Sequence, residues 1–161
     1  MITAPRPRRT VLRIAAFAAA AVLPLAMAGT ASASPLAAGH GCLPVALDGV
    51  GQDLGGFHTQ ATLSSEGVPV ASSEAFFAPG DLVGTMLAFT GPITFTPVAG
   101  PGTLTAQVTG SVDLATGAFI ATSTSLVGTK QLKNVTGELT ISGVEATDMS
   151  FTETVTGELC R

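Results

Sequence analysis

The sequence predicts an all-β protein, an antiparallel barrel of about eight strands, with a β-sandwich as the alternative arrangement of the same strands. Short segments alternate apolar and polar residues with a period of two, as in Phe57-His-Thr-Gln-Ala-Thr-Leu63 and Leu104-Thr-Ala-Gln-Val108. Gly and Pro cut the chain into pieces too short for helices and well suited to strands joined by turns. The two cysteines, Cys42 and Cys160, stand near the two ends of the patterned region. Their pairing would set the first and last strands side by side, as closure of a barrel requires.

The N-terminal 33 residues are different in kind. Arg6, Arg8, Arg9 and Arg13 precede an apolar run from Ile14 to Ala28, and Ala31-Ser-Ala33 offers a small-x-small cleavage site. Residues 1–33 therefore read as a signal peptide with a helical apolar segment. That segment would span about 22 Å as a helix, short of a bilayer core of about 30 Å, so no membrane span is expected after cleavage. The Arg8-Arg9 pair suits a twin-arginine route as well as the general secretory one. Residues 34–41 lack periodicity and read as a flexible lead-in, leaving 42–161 as a single barrel domain with a secreted, extracellular destination.

Removal of residues 1–33 takes four of the seven basic residues and none of the eleven acidic ones, leaving a formal charge of −8. Such a chain cannot neutralise a row of phosphates, which excludes nucleic acid as a partner. In an exported chain the isolated cysteine pair is expected as a disulfide, which closes a long loop and stabilises the fold by about 4–5 kcal/mol in the chain-entropy model. No second histidine lies at ligand spacing to His40 or His58, and Asp53, His58 and Glu66 have no nucleophile context around them. No metal and no cofactor is expected.

Taken in order, Cys42–Val50 is a first strand, with Pro44 placing its start at an edge and Gly49, Gly51, Gly55 and Gly56 breaking the chain. Phe57–Ser65 and Val68–Phe77 follow, divided at Glu66-Gly67. Ala78-Pro-Gly-Asp81 reads as a turn. Leu82–Val98 reads as two strands or one strongly bent strand. Beyond the turn at Ala99–Gly102, Leu104, Ala106, Val108 and Val112 share a face. Asp113–Gly117 connects to a returning strand over Ala118–Leu126, in which Phe119 and Ala121 oppose Ile120 and Thr122. After Gly128–Gly137, Leu139 and Ile141 alternate with Glu138, Thr140 and Ser142. A turn at Gly143–Thr147 precedes a last strand over Asp148–Cys160.

The last strand holds the candidate binding residues. Met149, Phe151, Glu153, Val155 and Leu159 form its apolar row, and Glu153 is out of place there. A carboxyl inside a barrel has its pKa pushed upward and can bind the polar end of a ligand. The competing reading is a bulge or a barrel mouth that leaves Glu153 in water. Met149 and Phe151 flank it as apolar ligand contacts.

Val-Thr-Gly recurs at 108–110, 135–137 and 155–157, the last two extended by Glu-Leu, and the spacing is no solenoid period. It is expected to mark a Gly bend needed at three places in a curved sheet. Gly128–Gly143 carries Lys130, Lys133 and the sequon Asn134-Val-Thr136, and reads as an architectural corner rather than a working loop. Gly128-Thr-x-x-Leu132-x-x-Val135-x-Gly137 resembles a segment of the allene oxide cyclase and dirigent barrels and of their small secreted bacterial relatives, over roughly the last sixty residues. Lys130, Gln131 and Leu132 stand where that segment has Gly, a base and Phe. The resemblance implies an eight-stranded antiparallel barrel with an apolar cavity, often oligomeric. Active members use Tyr and Arg in the cavity, whereas the region after residue 33 has no Tyr and only Arg161. The expectation is a secreted, non-catalytic barrel that binds a small apolar ligand. An interaction module of the cell envelope or extracellular matrix is the alternative, ahead of a cyclase- or dirigent-like enzyme.

Overall fold

The computed structural model describes residues 41–161; residues 1–33, expected as a signal peptide, and all of the expected lead-in but Gly41 lie outside them. Nine strands run in chain order: β1 Cys42–Asp53, β2 His58–Ser65, β3 Val68–Phe76, β4 Ala78–Val83, β5 Met86–Pro97, β6 Leu104–Asp113, β7 Ala118–Gly128, β8 Thr136–Glu145 and β9 Ser150–Cys160. A single 3₁₀ turn, Lys130–Leu132, joins β7 to β8. All pairings are antiparallel, in the order β3-β2-β1-β9-β8-β7-β6-β5, and β3 pairs with β5 to close the circle. The result is an eight-stranded barrel with β4 as one extra strand, and the sandwich alternative is excluded by that closure. Eight strands leave an interior wide enough for side chains or for one small ligand.

The extra strand corrects the expected turn at Ala78–Asp81. β3 and β4 run end to end along β5, separated at Phe77, and the ladder shifts register between Pro79 and Leu82. Pro79 and Gly80 thus make a bulge in a strand, and the reversal comes later, at Gly84 with φ 64°. The break at Phe77 sits against Gly91 of β5, where a Cβ would strike the Phe76 carbonyl and the Phe77 Cα. It turns Phe76 outward and Phe77 inward, against Phe89 with ring centroids 4.8 Å apart.

Cys42 and Cys160 are joined, and they are direct partners in the β1–β9 ladder, 118 residues apart in the chain. The bridge therefore pins the seam between the chain ends. It fits an oxidising compartment. Pro44 lies where β1 has only β9 beside it, because pairing with β2 starts at Asp48; no ladder hydrogen bond is lost on the open side.

The inward rows of the strands make two zones. Leu63, Phe95, Leu104, Ala106, Val108, Leu139 and Val155 form a tight core toward the end that carries the disulfide. The connection from β7 to β8 packs onto it: Val135 is 6% exposed and Leu132 rests on the same cluster. The connection is tied to the β5–β6 loop by hydrogen bonds from the Thr129 amide to the Thr103 carbonyl (2.9 Å) and from the Thr103 amide to Thr129 Oγ1 (2.9 Å). Of Gly128–Gly143, expected as one architectural corner, the part up to Val135 packs over this end of the barrel and Thr136–Gly143 runs within β8.

The Val-Thr-Gly repeats do not meet one common demand. Val135–Leu139 and Val155–Leu159 pair with each other about Glu138 and Glu158, so that Gly137 faces Leu159 and Gly157 faces Leu139. Both glycines have positive φ, 135° and 147°, and each lies against the carbonyl of the opposing glutamate. Gly110 is different. It lies in mid-strand, beneath an aromatic ring.

Candidate functional site

That ring is one of a set. Large inward side chains of one strand lie over the glycine directly opposite on the next. Phe89 covers Gly110, Phe119 covers Gly143 and Phe151 covers Gly51. A Cβ on any of these glycines would overlap the ring above it. Each ring thereby packs onto the backbone of the neighbouring strand where a side chain would otherwise stand, and the glycines let the sheet curve beneath them. Gly49 and Gly51 therefore do not break the chain: β1 continues through both to Asp53.

Glu153 follows the same rule from both sides. Its ladder partners are Gly49 on β1 and Gly143 on β8. A Cβ at Gly49 would come within 2.5 Å of Glu153 Cγ and 2.8 Å of Leu63 Cδ2. Two glycines thus make room for a glutamate in a row otherwise apolar, with Phe151 and Val155 on either side of it.

The space left open is a cavity of about 300 Å³ in the half of the barrel away from the cap. Phe77, Phe89, Ile93, Phe119, Ile141 and Phe151 supply much of its wall, and Phe57 and Leu114 stand at its mouth. Thr59, Ser73, Asp53, Glu145 and Glu153 are its polar residues. Burial pushes the Glu153 carboxyl up to about 7. Burial, with repulsion from Asp53 as the lesser cause, also raises Glu145. Among the described residues no protein group hydrogen-bonds the Glu153 carboxylate. No buried side-chain oxygen is left without a partner either, so this carboxylate opens onto the cavity.

The structure thus places two of the three sequence candidates, Glu153 and Phe151, in the cavity wall. Met149 is a correction. It lies in the turn before β9 with φ 66° and is 50% exposed, because β8 extends to Glu145 and the reversal falls at Ala146–Met149. The strict alternation of β9 does not extend back through that turn. Sequence reasoning missed Asp53, Glu145 and the Phe–Gly pairs. Glu145 was legible in principle, two residues beyond Gly143 on the inward row of β8; the pairs depend on register between strands.

His58 lies outside the barrel. Its ring stacks on Phe76 with centroids 4.1 Å apart, and Nε2 lies 2.9 Å from Glu74 Oε1. That contact and a hydrogen bond from Gln60 hold the exposed Glu74 below the usual carboxylate range. No cluster of metal-ligating side chains occurs among the described residues.

No family model, curated protein or solved structure matches the chain. What the site can do follows from its own geometry. An apolar cavity with one deep, unpartnered carboxyl can hold a small apolar molecule and receive one polar group from it. Carboxyls alone do not make a nucleophile and base pair of the kind that acyl transfer needs.

Proposed function

We propose that the protein is a secreted, non-catalytic barrel that takes up a small apolar ligand bearing one polar group. The observation that carries this reading is the cavity of about 300 Å³ with Glu153 in its wall and no protein partner for the carboxylate. A core built only for stability would gain by filling that space, since voids cost packing energy. The Phe–Gly pairs support the same reading, because they seat bulky rings on the backbone of the neighbouring strand. Export is supported by the N-terminal Arg-rich and apolar pattern and by the disulfide. The resemblance to the allene oxide cyclase and dirigent barrels adds an analogy of architecture to this reading. Native mass spectrometry of protein isolated from its producing culture, with displacement of a hydrophobic dye, provides the test. The expected result is one apolar molecule per chain and dye entry that is lost in Phe151→Trp. A chain that carries nothing and excludes the dye overturns the reading.

A second reading is an interaction module of the envelope or matrix. It draws on a broad, polar depression on the outer face of β1, β2, β3 and β5, lined by Gln52, Gln60, Thr62, Ser72, Thr94 and Thr96. Retention on isolated envelope material that is abolished by Thr62→Lys and Thr94→Lys, and unaffected by Phe151→Trp, would favour it over the first.

A further inference from the structure

The charge inside the cavity narrows the class of ligand. Its ionisable side chains are Asp53, Glu145 and Glu153, all carboxyls, and its lining contains no Lys, Arg or His. Lys130 and Lys133 lie on the connection that caps the opposite end, and Arg161 follows the disulfide at that same end. Among the described residues, none supplies a cation to the cavity lining. We infer that the natural occupant is a small apolar amine, whose ammonium group meets Glu153 while its apolar body lies against the phenylalanine-lined wall. This rests on the ligand-binding reading above and adds the chemistry of the head group.

Three considerations favour a cation over the other head groups. A carboxylate or phosphate head would enter past Asp53 and Glu145 against like charge in a low-dielectric channel. A neutral hydroxyl would satisfy a protonated Glu153 but leave the mutual repulsion of Asp53 and Glu145 in place. An ammonium group relieves both, because it pairs with Glu153 and lowers the potential along the whole passage. The order along the barrel suits this. Glu145 is opposite Phe151 in the β8–β9 ladder, and Asp53 is bonded through its amide to the Met149 carbonyl, both nearer the mouth. Glu153, between Gly49 and Gly143, lies one inward position deeper than Glu145 and two deeper than Asp53.

The elements around Glu153 bring only acidic, hydroxyl and apolar side chains to the cavity. β1 contributes Asp53; β8 contributes Glu145; β2, β3, β5, β6 and β7 contribute Thr59, Ser73 and apolar side chains only. Burial pushes the Glu153 carboxyl up to about 7, so amine binding at lower pH must expel its proton. Affinity should then rise with pH until that group is ionised.

The test compares octylamine, octanol and octanoate by isothermal titration calorimetry on the purified protein at pH 5.5 and pH 8. The expected result is octylamine tightest, octanol weaker and octanoate without measurable uptake. The amine affinity should rise about tenfold or more between the two pH values, with proton release at pH 5.5 seen by changing the buffer. In Glu153→Gln the amine should lose its advantage over octanol, and a wild-type circular-dichroism spectrum with a cooperative unfolding transition shows that the variant is folded. If the variant does not fold, the three-probe ranking and its pH dependence in the wild type still decide. Octanol binding with no preference for the amine overturns the inference and leaves the ligand-binding reading standing. Binding of none of the three overturns both.

Discussion

Glu153 should make the protein less stable as pH rises from 5 to 8, against the usual behaviour of carboxylates held in salt bridges. In the unfolded chain its carboxyl ionises near its ordinary value of 4.5; in the barrel burial moves it to about 7. Between those values the fold retains a proton that the unfolded chain releases, so the stability it confers is complete below pH 4.5 and is lost as pH rises through 7. The difference of about 2.5 pH units corresponds to roughly 3 kcal/mol at 1.36 kcal/mol per unit. For a domain of this size that is a fall in Tm of roughly 10 °C. Glu145 is raised as well and contributes in the same direction. Glu74, Asp113 and Asp148 are lowered by hydrogen bonds and act oppositely, but their stabilisation is present above the unfolded carboxylate range and is lost only as pH falls below it. Among the carboxyls with shifted values, only the two raised groups therefore act across the window from pH 5 to 8. Urea unfolding of the wild type and Glu153→Gln at each pH unit provides the measurement. Glu153→Gln should flatten most of the slope and be the more stable protein at pH 8. A wild type whose stability is level or rising over this window, or a variant with the same slope, refutes the burial of Glu153.

Other outcomes follow from the same geometry. Reduction of Cys42–Cys160 should lower stability by about 4–5 kcal/mol, read as a shift of the urea midpoint with and without reductant, since the bridge constrains nearly the whole domain. Gly51→Ala should destabilise by about 1–3 kcal/mol because its methyl overlaps the Phe151 ring and the Gln60 carbonyl; pairing it with Phe151→Leu should recover part of the loss in a double-mutant cycle. Leu63→Ala, at a fully buried site in the tight zone, should cost about 2–5 kcal/mol by thermal unfolding. Met149→Ala should leave dye uptake unchanged, whereas Phe151→Trp abolishes it, because only the second side chain faces the cavity.

The strands, the disulfide and the anomaly of Glu153 were legible in the chain because each depends on local spacing. Alternation with a period of two shows which residues share a face, and a carboxyl in an apolar row is visible without knowing its neighbours. Two cysteines in a chain with an export pattern define their own pairing. Errors arose where local signals were overruled. Ala78–Asp81 has turn residues, yet β5 was there to pair with it, and the bulge absorbed Pro79 and Gly80. Met149 kept the parity of β9 but fell in the turn that precedes it.

Register across strands lies beyond local spacing, and register is what makes the site. Gly49, Gly143 and Glu153 belong to three strands and have nothing in common in sequence; the ladders of β1, β8 and β9 bring them together. The same holds for Phe151 over Gly51, and for the encounter of Asp53 with Glu145. The sequence by itself determined that this chain builds a sheet with one misplaced carboxyl. Closure of that sheet decided that the carboxyl faces an apolar cavity whose described lining holds only carboxyls as ionisable groups, because only a barrel sets eight separate inward rows around one axis.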